Sequence, residues 1–256
     1  KAISGGTEKE IGALTQQAKN LGESTQFTAS QVVGLQVELA KLGFEANEIQ
    51  DATPGILSLA GALDVDLAEA ASFAGAQINA FGLDASETQR IVDVMALSAT
   101  SSAQDFETLR ESFAKVAPAA NAVGASVEQT AAYLGILADS NIKGSEAGTA
   151  LKNSFIELAK KGITLEESLN RINNAAEGPE RLLTAIEIAG KRGGPALLTL
   201  AKKSDDIDEL TQSFEKAGDT VEYMGMQFDG VAEKMLFIKE DNLDGDVRKL
   251  GSAWEG

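Results

Sequence analysis

The sequence contains no cysteine and no histidine among its 256 residues. These side chains are the commonest metal ligands, the thiol nucleophile and the usual general base near neutral pH. Their absence excludes zinc sites, disulfide scaffolds and Ser-His-Asp hydrolases. Adjacent acids such as Glu166 and Glu167 are expected by chance among 39 acidic residues, and neighbours on a helix point apart. We therefore assign no catalytic residue, no metal ligand and no cofactor.

Positive charge is also scarce, with 22 lysines and arginines against 39 aspartates and glutamates, a net charge of −17. Because proteins grip nucleic-acid backbones mainly through Lys and Arg, no direct nucleic-acid binding is expected. The net charge is −8 over residues 1–100, −2 over 101–199 and −7 over 200–256. The nearly neutral middle is therefore the predicted contact surface, and the acidic ends are predicted to stay solvated.

Long apolar runs are missing as well. No uncharged run exceeds 14 residues, the length of Ala70–Leu83. A membrane-spanning helix needs ~18–20, so we predict no membrane span in this segment. The chain opens on Lys1 with neither an initiator methionine nor a signal segment, and we expect it to be part of a longer protein.

Alanine is abundant, with 40 residues, whereas aromatic residues make up only 5% of the chain. Alanine is the strongest helix former, and few segments are rich in the β-branched and aromatic residues that favour strands. Helix starts are predicted where a capping side chain is followed three residues later by Glu or Gln. Five pairs have this spacing: Thr28/Gln31, Asp66/Glu69, Asp84/Glu87, Ser126/Gln129 and Thr164/Glu167.

Helix ends are predicted where glycine precedes an apolar residue, at Gly43, Gly82 and Gly162. Pro179 and Pro195 each follow a glycine and suit the first position of a helix. These signals predict an all-α fold in which residues 1–203 form a compact, alanine-rich module of about ten short helices.

The sequence also contains an internal similarity. Gly55-Ile56-Leu57 recurs 80 residues later as Gly135-Ile136-Leu137, within broader similarity between residues 28–83 and 102–160. A degenerate duplication of one helical unit explains this similarity, and chance in an alanine-rich helical sequence is the alternative.

The apolar spacing changes in the last segment, residues 204–256. Apolar residues there step by three and four, as along a heptad seam: Val221, Met224, Phe228, Val231, Met235 and Ile238. The spacing continues, one residue out of step, at Leu243, Val247, Leu250 and Trp254. It predicts a long C-terminal helix leading out of the module, whose seam either forms a coiled coil with another copy or packs against the module.

One glycine-rich segment, residues 190–194, superficially matches a phosphate-binding loop. Such a loop needs glycine five residues before its Gly-Lys pair and Ser or Thr after it, but Ala185 and Arg192 stand there. A helix C-terminus with cations at its negative end is the better interpretation.

The segment Tyr133–Asn153 closely resembles the core signature of the tail tape-measure proteins of long-tailed bacteriophages. The most specific part is Asn141, Ile142, Lys143, Gly144, Ser145, Glu146, Ala147, Gly148, Thr149, Ala150 and Leu151. The resemblance extends over nearly the whole chain, through segments 38–44, 79–84, 116–118, 190–192 and 243–254.

The resemblance implies a structural virion protein that acts in tail assembly and tail-length determination and leaves ahead of the DNA on infection. Its implied partners are further copies of itself, three or six in number, the tail tube and tail-tip proteins, and a tail assembly chaperone. Its implied location is the lumen of the tail tube or the tail tip, with the host cytoplasm during assembly. A generic helical adaptor or injection-system component and a module of a peptidoglycan-degrading tail protein are the alternatives.

The segment differs from a simple ruler in one respect. A continuous helix measures length at about 1.5 Å per residue, but helix-stop signals interrupt residues 1–203 about every 15 residues. We therefore predict a compact module rather than the ruler itself.

Overall fold

The computed structural model describes residues 7–241. Within this range the chain forms twelve α-helices and one β-hairpin, which confirms the predicted all-α class. The helices fall into two compact units. Among the described residues, unit 1 comprises 7–96 and 217–241 and unit 2 comprises 97–216.

Unit 1 is built from helices on both sides of unit 2 in the sequence. Its elements are α1 (Glu8–Ser24), α2 (Ala29–Lys41), α3 (Ala46–Leu63), α4 (Leu67–Phe81), a 3₁₀ turn (Ala85–Glu87), the first part of α5 (Thr88–Ser101), β1 (Thr220–Tyr223), β2 (Met226–Asp229) and α12 (Val231–Glu240). The central helix is α3, which is buried on every face from Gly55 to Ala62 and contacts α1, α2, α4 and α12.

Unit 2 contains the end of α5 and six further helices. These are α6 (Phe106–Ala122), α7 (Val127–Asp139), α8 (Gly144–Lys161), α9 (Leu165–Asn174), α10 (Pro179–Lys202) and α11 (Ser204–Glu215). Its central helix is α7, which is buried on every face from Thr130 to Ala138 and packs against α6, α8, α10 and α11. A helix that is apolar all round must be enclosed by others.

The five predicted capping residues all begin helical segments. Thr28, Ser126 and Thr164 form reciprocal capping boxes, Asp66 caps α4, and Asp84 caps the 3₁₀ turn. The helix ends are confirmed as well, because Gly82 and Gly162 take left-handed conformations at the ends of α4 and α8. These signals depend on residues at most four positions apart, so the sequence determines them locally.

The prediction that Pro195 begins a helix was wrong. It lies inside α10 rather than at a helix start, whereas Pro179 does begin that helix. The break in α10 falls at Gly190, whose φ of 70° and ψ of 175° are not helical. The second segment thus starts four residues earlier than predicted, and Lys191 and Arg192 follow the break directly.

The predicted long C-terminal helix is wrong over residues 220–229, which form an antiparallel hairpin. Val221 and Phe228 face each other across the two strands. Their separation of seven residues, which resembled a heptad, is that of cross-strand partners around a two-residue turn. Met224 and Gly225 have φ of 51° and 80°, as such a turn requires.

The rest of the predicted seam does not form a single helix face either. In α12 the buried residues are Ala232, Leu236 and Glu240, whereas Val231 and Met235 are half-buried and Ile238 is exposed. The continuation at Leu243, Val247, Leu250 and Trp254 lies outside the described residues. A role of these residues in oligomerisation stays a prediction.

The units also divide the chain differently from the predicted boundary after residue 203. Helix α11 packs on α7 within unit 2, and α12 packs on α3 within unit 1. The contact between α12 and α3 is close at Gly61, because a Cβ there would overlap the side chain of Leu236. Residues 204–240 therefore belong to the two cores instead of leading away from them.

The two copies of the Gly-Ile-Leu triplet occupy equivalent places. Gly55 lies in α3 and Gly135 in α7, the central helices of units 1 and 2. In each unit the central helix is followed by a helix that ends at a left-handed glycine, Gly82 or Gly162. This order is consistent with the duplication, which stays a prediction.

Candidate functional site

The signature segment comprises the end of α7, the tight connection after it and the first half of α8. Asn141 has a φ of 64°, a left-handed conformation that asparagine tolerates better than most side chains. The amide of Ile142 donates to the carbonyl of Leu137 at 2.8 Å, which closes the end of α7 and folds the chain back. The helix end and the next helix start are thus only a few residues apart.

The start of α8 is capped by a residue from another helix. Lys143 is the N-cap residue and its side chain makes no capping hydrogen bond. Instead, a carboxylate oxygen of Glu111 in α6 accepts a hydrogen bond from the amide of Ser145 at 3.1 Å. A Cβ on Gly144 would lie 2.8 Å from that same oxygen. Glycine 144 therefore leaves room for the cap.

Side chains at both ends of the α7–α8 connection form hydrogen bonds with the backbone just before α6. The carboxylate of Asp139 accepts a hydrogen bond from the amide of Ala103 at 2.7 Å. The ammonium group of Lys143 donates to the carbonyl of Ala103 at 3.4 Å. Both ends of the α7–α8 connection are thereby fixed to one point of the chain.

Small residues let α8 approach two other helices closely. A Cβ on Gly148 would overlap the backbone carbonyl of Ser112 in α6, so these helices touch backbone to backbone. On the other side, the hydroxyl of Ser154 donates to the carbonyl of Gly193 in α10 at 3.3 Å. Ala147 and Leu151 are buried between them. Much of the signature therefore serves the packing of unit 2.

The remaining signature residues line an open groove of about 490 Å³ between α8 and α10. Its polar residues are Ser145, Glu146 and Thr149 from α8 and Lys191 and Arg192 from α10. Its apolar residues are Ile142, Ala150, Pro195 and Ala196. Neither cation pairs with any residue that the structure describes. The signature thus has a packing side and a solvent-facing side.

A second groove, of about 440 Å³, lies between α7, α8 and the start of α9. Tyr133 and Phe155 line it and meet edge to face, with ring centroids 6.3 Å apart. Burial raises the pKa of Tyr133 to about 12, so its hydroxyl stays neutral. The groove offers mainly apolar contact surface.

Unit 1 contains a buried carboxylate that the sequence did not single out. Asp93 in α5 is fully buried and accepts hydrogen bonds from the amide of Ala232 at 2.7 Å and from the side chain of Gln89 at 3.1 Å. It caps α12 in place of Gly230, which has no side chain. Burial raises the pKa of Asp93 to about 7 despite these hydrogen bonds. One acid among 39 carries no sequence signal for this role.

The cap at α8 yields a testable prediction. We expect Glu111→Ala to lower the free energy of unfolding by about 1 kcal/mol, because it removes the acceptor at the start of α8. Urea unfolding followed by circular dichroism measures this loss. The matched control is Glu157→Ala, which removes an exposed ion pair with Lys160 within α8 and is expected to cost less than about 0.5 kcal/mol. Equal losses in the two variants would contradict the capping role.

The described residues contain neither a metal-binding cluster nor a membrane-spanning helix. Between residues 7 and 241 no group of three or more acidic residues could hold a metal ion. None of the described helices is long and apolar enough to cross a bilayer. The described residues thus form an all-α module whose signature segment packs α8 against α6 and α10 and lines a groove between α8 and α10.

Comparison with known proteins identifies the family. The phage-related minor tail proteins match residues 15–191, a range that includes the whole signature segment. The chain belongs to this family, and it is therefore part of a structural protein of a bacteriophage tail.

Two relatives carry more specific names. The tape measure protein of Pneumococcus phage Dp-1 is 30% identical over 280 residues, covering 100% of this chain and 23% of the relative. The probable tape measure protein of Escherichia phage P2 is 29% identical over 274 residues, covering 96% of this chain and 32% of the relative. The chain thus spans 23% and 32% of the lengths of these two relatives, less than a third of either. No solved structure matches it.

Proposed function

We propose that this chain is the compact helical module of a tape-measure protein, acting in tail assembly and tail-length determination and released ahead of the DNA on infection. The observation that carries the proposal is the similarity to two proteins named as tape measures over 96% or more of this chain. Because the chain covers less than a third of either relative, the ruler and any other activity would belong to the rest of the parent protein.

The helix lengths support a compact module instead of a ruler. The longest helix, α10, has 24 residues and is broken at Gly190. The others have at most 18 residues and fold back on each other within their units. A ruler would need continuous helix, since each residue contributes about 1.5 Å.

The net negative charge of the chain supports a location next to DNA in which the protein does not bind the DNA. A net charge of −17 repels a phosphate backbone. We propose that the parent protein lies in the tail-tube lumen or at the tail tip, in three or six copies, and that it is held in the host cytoplasm by an assembly chaperone before then. Tail-tube and tail-tip proteins would be its contacts in the virion.

Deleting one central helix from the parent protein tests the module. We expect an in-frame deletion of Val127–Asp139 to abolish tails, because α7 is the core of unit 2. Electron microscopy of the particles measures the outcome. Leu134→Asp, which keeps the length but places a charge at a fully buried position, is expected to abolish tails equally.

Exchanging an exposed residue provides the control. Val33 is 43% exposed on α2, and Val33→Gln is expected to leave tails of normal number and length. Tails shortened by about 20 Å in the deletion phage, the length of 13 helical residues, would show that the segment is a ruler. Tails of normal length would show that it takes no part in assembly.

A further inference from the structure

The β-hairpin of unit 1 has one apolar face that is covered only at its base. Val221, Tyr223, Met226 and Phe228 alternate onto this face, and Thr220, Glu222, Gln227 and Asp229 onto the polar face. At the base, Phe228 is buried and its ring lies 5.0 Å from that of Phe237 in α12. Toward the turn, Tyr223 and Met226 are 36% and 42% exposed.

The turn itself exposes a further apolar side chain at a conformational cost. Met224 is 73% exposed and has a φ of 51°. In this left-handed region Gly, Asn and Asp are favoured, and an unbranched side chain such as methionine is strained. Met224 therefore gains little burial in this unit to offset its strain. A strained, exposed methionine at the end of an apolar face indicates a role outside the unit.

Helix α12 extends this exposed surface. The ammonium group of Lys234 lies 5.5 Å from the centre of the Tyr223 ring, which places the ring beside α12. Ile238, one turn further along α12, is 44% exposed. We call Tyr223, Met224, Met226 and Ile238 the hairpin-tip surface.

The hairpin-tip surface stands on a fixed base. The amide of Val231 donates to the carbonyl of Ala217 at 2.9 Å, and the side chain of Gln89 donates to the carbonyl of Asp229 at 3.0 Å. The carboxylate of Asp93 caps α12 through Ala232. A surface held in this way is pre-organised, which lowers the cost of ordering on binding.

The charges around the surface determine what can cover it. Asp219, Glu222, Asp229 and Glu233 are exposed on the hairpin and the start of α12. The cations nearby are fewer: Lys216 and Lys239 are exposed, and the half-buried Lys234 lies over Tyr223, so acidic charge predominates. A second copy would bring the same acids together, and an anionic lipid surface would be repelled as well. The complementary partner is a protein with an apolar pocket and a rim of Lys or Arg.

We propose that the hairpin-tip surface inserts into an apolar, basic-rimmed pocket on another protein. Met224 is the central anchor, Tyr223, Met226 and Ile238 surround it, and the exposed acids face the basic rim. Apolar anchors ringed by polar contacts are the usual arrangement of such an interface. The proposal is independent of the tape-measure role, since it rests only on unit 1.

Photo-crosslinking in the full-length parent protein during phage growth tests this proposal. The probe is a benzoyl-phenylalanine residue at Tyr223, which is 36% exposed. The same probe at Val33, an apolar position of unit 1 that is 43% exposed, is the control. We expect at least about tenfold more cross-link at Tyr223, mapped by mass spectrometry to apolar residues flanked by Lys or Arg. The yield should fall as salt is raised, because the rim contacts are screened.

A substitution at the turn separates binding from folding. Met224→Asn suits the left-handed conformation, so we expect an unchanged or higher melting temperature together with about a tenfold lower cross-link yield at Tyr223. Cross-links to a second copy or to lipid would overturn the proposal. So would a yield at Tyr223 no higher than at Val33, or an undiminished yield in Met224→Asn.

Discussion

Gly148→Ala is expected to lower the free energy of unfolding by about 2–3 kcal/mol, although alanine favours helices by about 1 kcal/mol over glycine. The added Cβ would overlap the backbone carbonyl of Ser112, so α6 and α8 would have to move apart along their length. Backbone atoms cannot rotate away as the end of a long side chain can. Urea unfolding measures the loss, and hydrogen exchange should show faster opening in α6 and α8.

Gly34→Ala is the matched control, because Gly34 also lies within a helix but a Cβ there would meet nothing within 4 Å. We expect this variant to be more stable than the parent by up to about 1 kcal/mol. Opposite signs at the two glycines would show that helix contact, and not helix propensity, decides the effect. Stabilisation by Gly148→Ala would contradict the backbone contact between α6 and α8.

Asp93 is expected to make the stability of the chain fall as the pH rises. Its pKa is raised from 3.8 to about 7 in the folded state, chiefly by burial and further by the negative charges of Asp229 and Glu233. The folded state therefore keeps a proton that the unfolded chain has already released. The contribution of this proton to the free energy of unfolding is fully present below about pH 4 and is lost by about pH 7. It amounts to at most about 4 kcal/mol, since each unit of pKa difference corresponds to about 1.36 kcal/mol.

Asp93→Asn isolates this contribution. Asparagine keeps an acceptor for the amide of Ala232 but does not ionise, so the difference in unfolding free energy between variant and parent should grow in favour of the variant from pH 5.5 to 7. It should be constant above pH 8. Urea unfolding at each pH measures the difference, away from the isoelectric point near 4.4.

Asp105→Asn is the control with the opposite sign. The amide and hydroxyl of Thr108 lower the pKa of Asp105 below its usual value. Its contribution to stability is therefore present above about pH 4 and lost on further acidification, so its variant should show no change between pH 5.5 and 7. A pH-independent difference between Asp93→Asn and the parent would contradict the assignment to Asp93.

The helix starts and ends were predictable because each is decided by neighbouring residues. Thr28, Ser126 and Thr164 form capping boxes with side chains three positions away, and Gly162 ends α8 where an apolar residue follows. The hairpin, in contrast, was not predictable from the spacing of its own residues. Val221 and Phe228 are seven apart both along a heptad and across a tight turn, and their spacing cannot distinguish the two.

The candidate site was only half predictable. The resemblance located the signature segment, which contains the groove residues Ser145, exposed in the structure, and Thr149, half-buried. The sequence did not reveal that Lys191 and Arg192 lie across a groove from them, because helix packing between α8 and α10 brings these residues together. The same holds for Glu111, which caps a helix that starts 33 residues later.

By itself, the sequence determined the helical class, the helix boundaries marked by capping side chains and left-handed glycines, and the family resemblance, since these depend on composition and on short segments. Only the tertiary structure decided that α3 and α7 are the central helices, that residues 217–240 return to unit 1, and that Asp93 is buried. The physical reason is distance along the chain: Asp93 and Ala232 are 139 residues apart, yet their hydrogen bond is 2.7 Å long. Such a contact depends on the packing of whole helices, which no local pattern encodes.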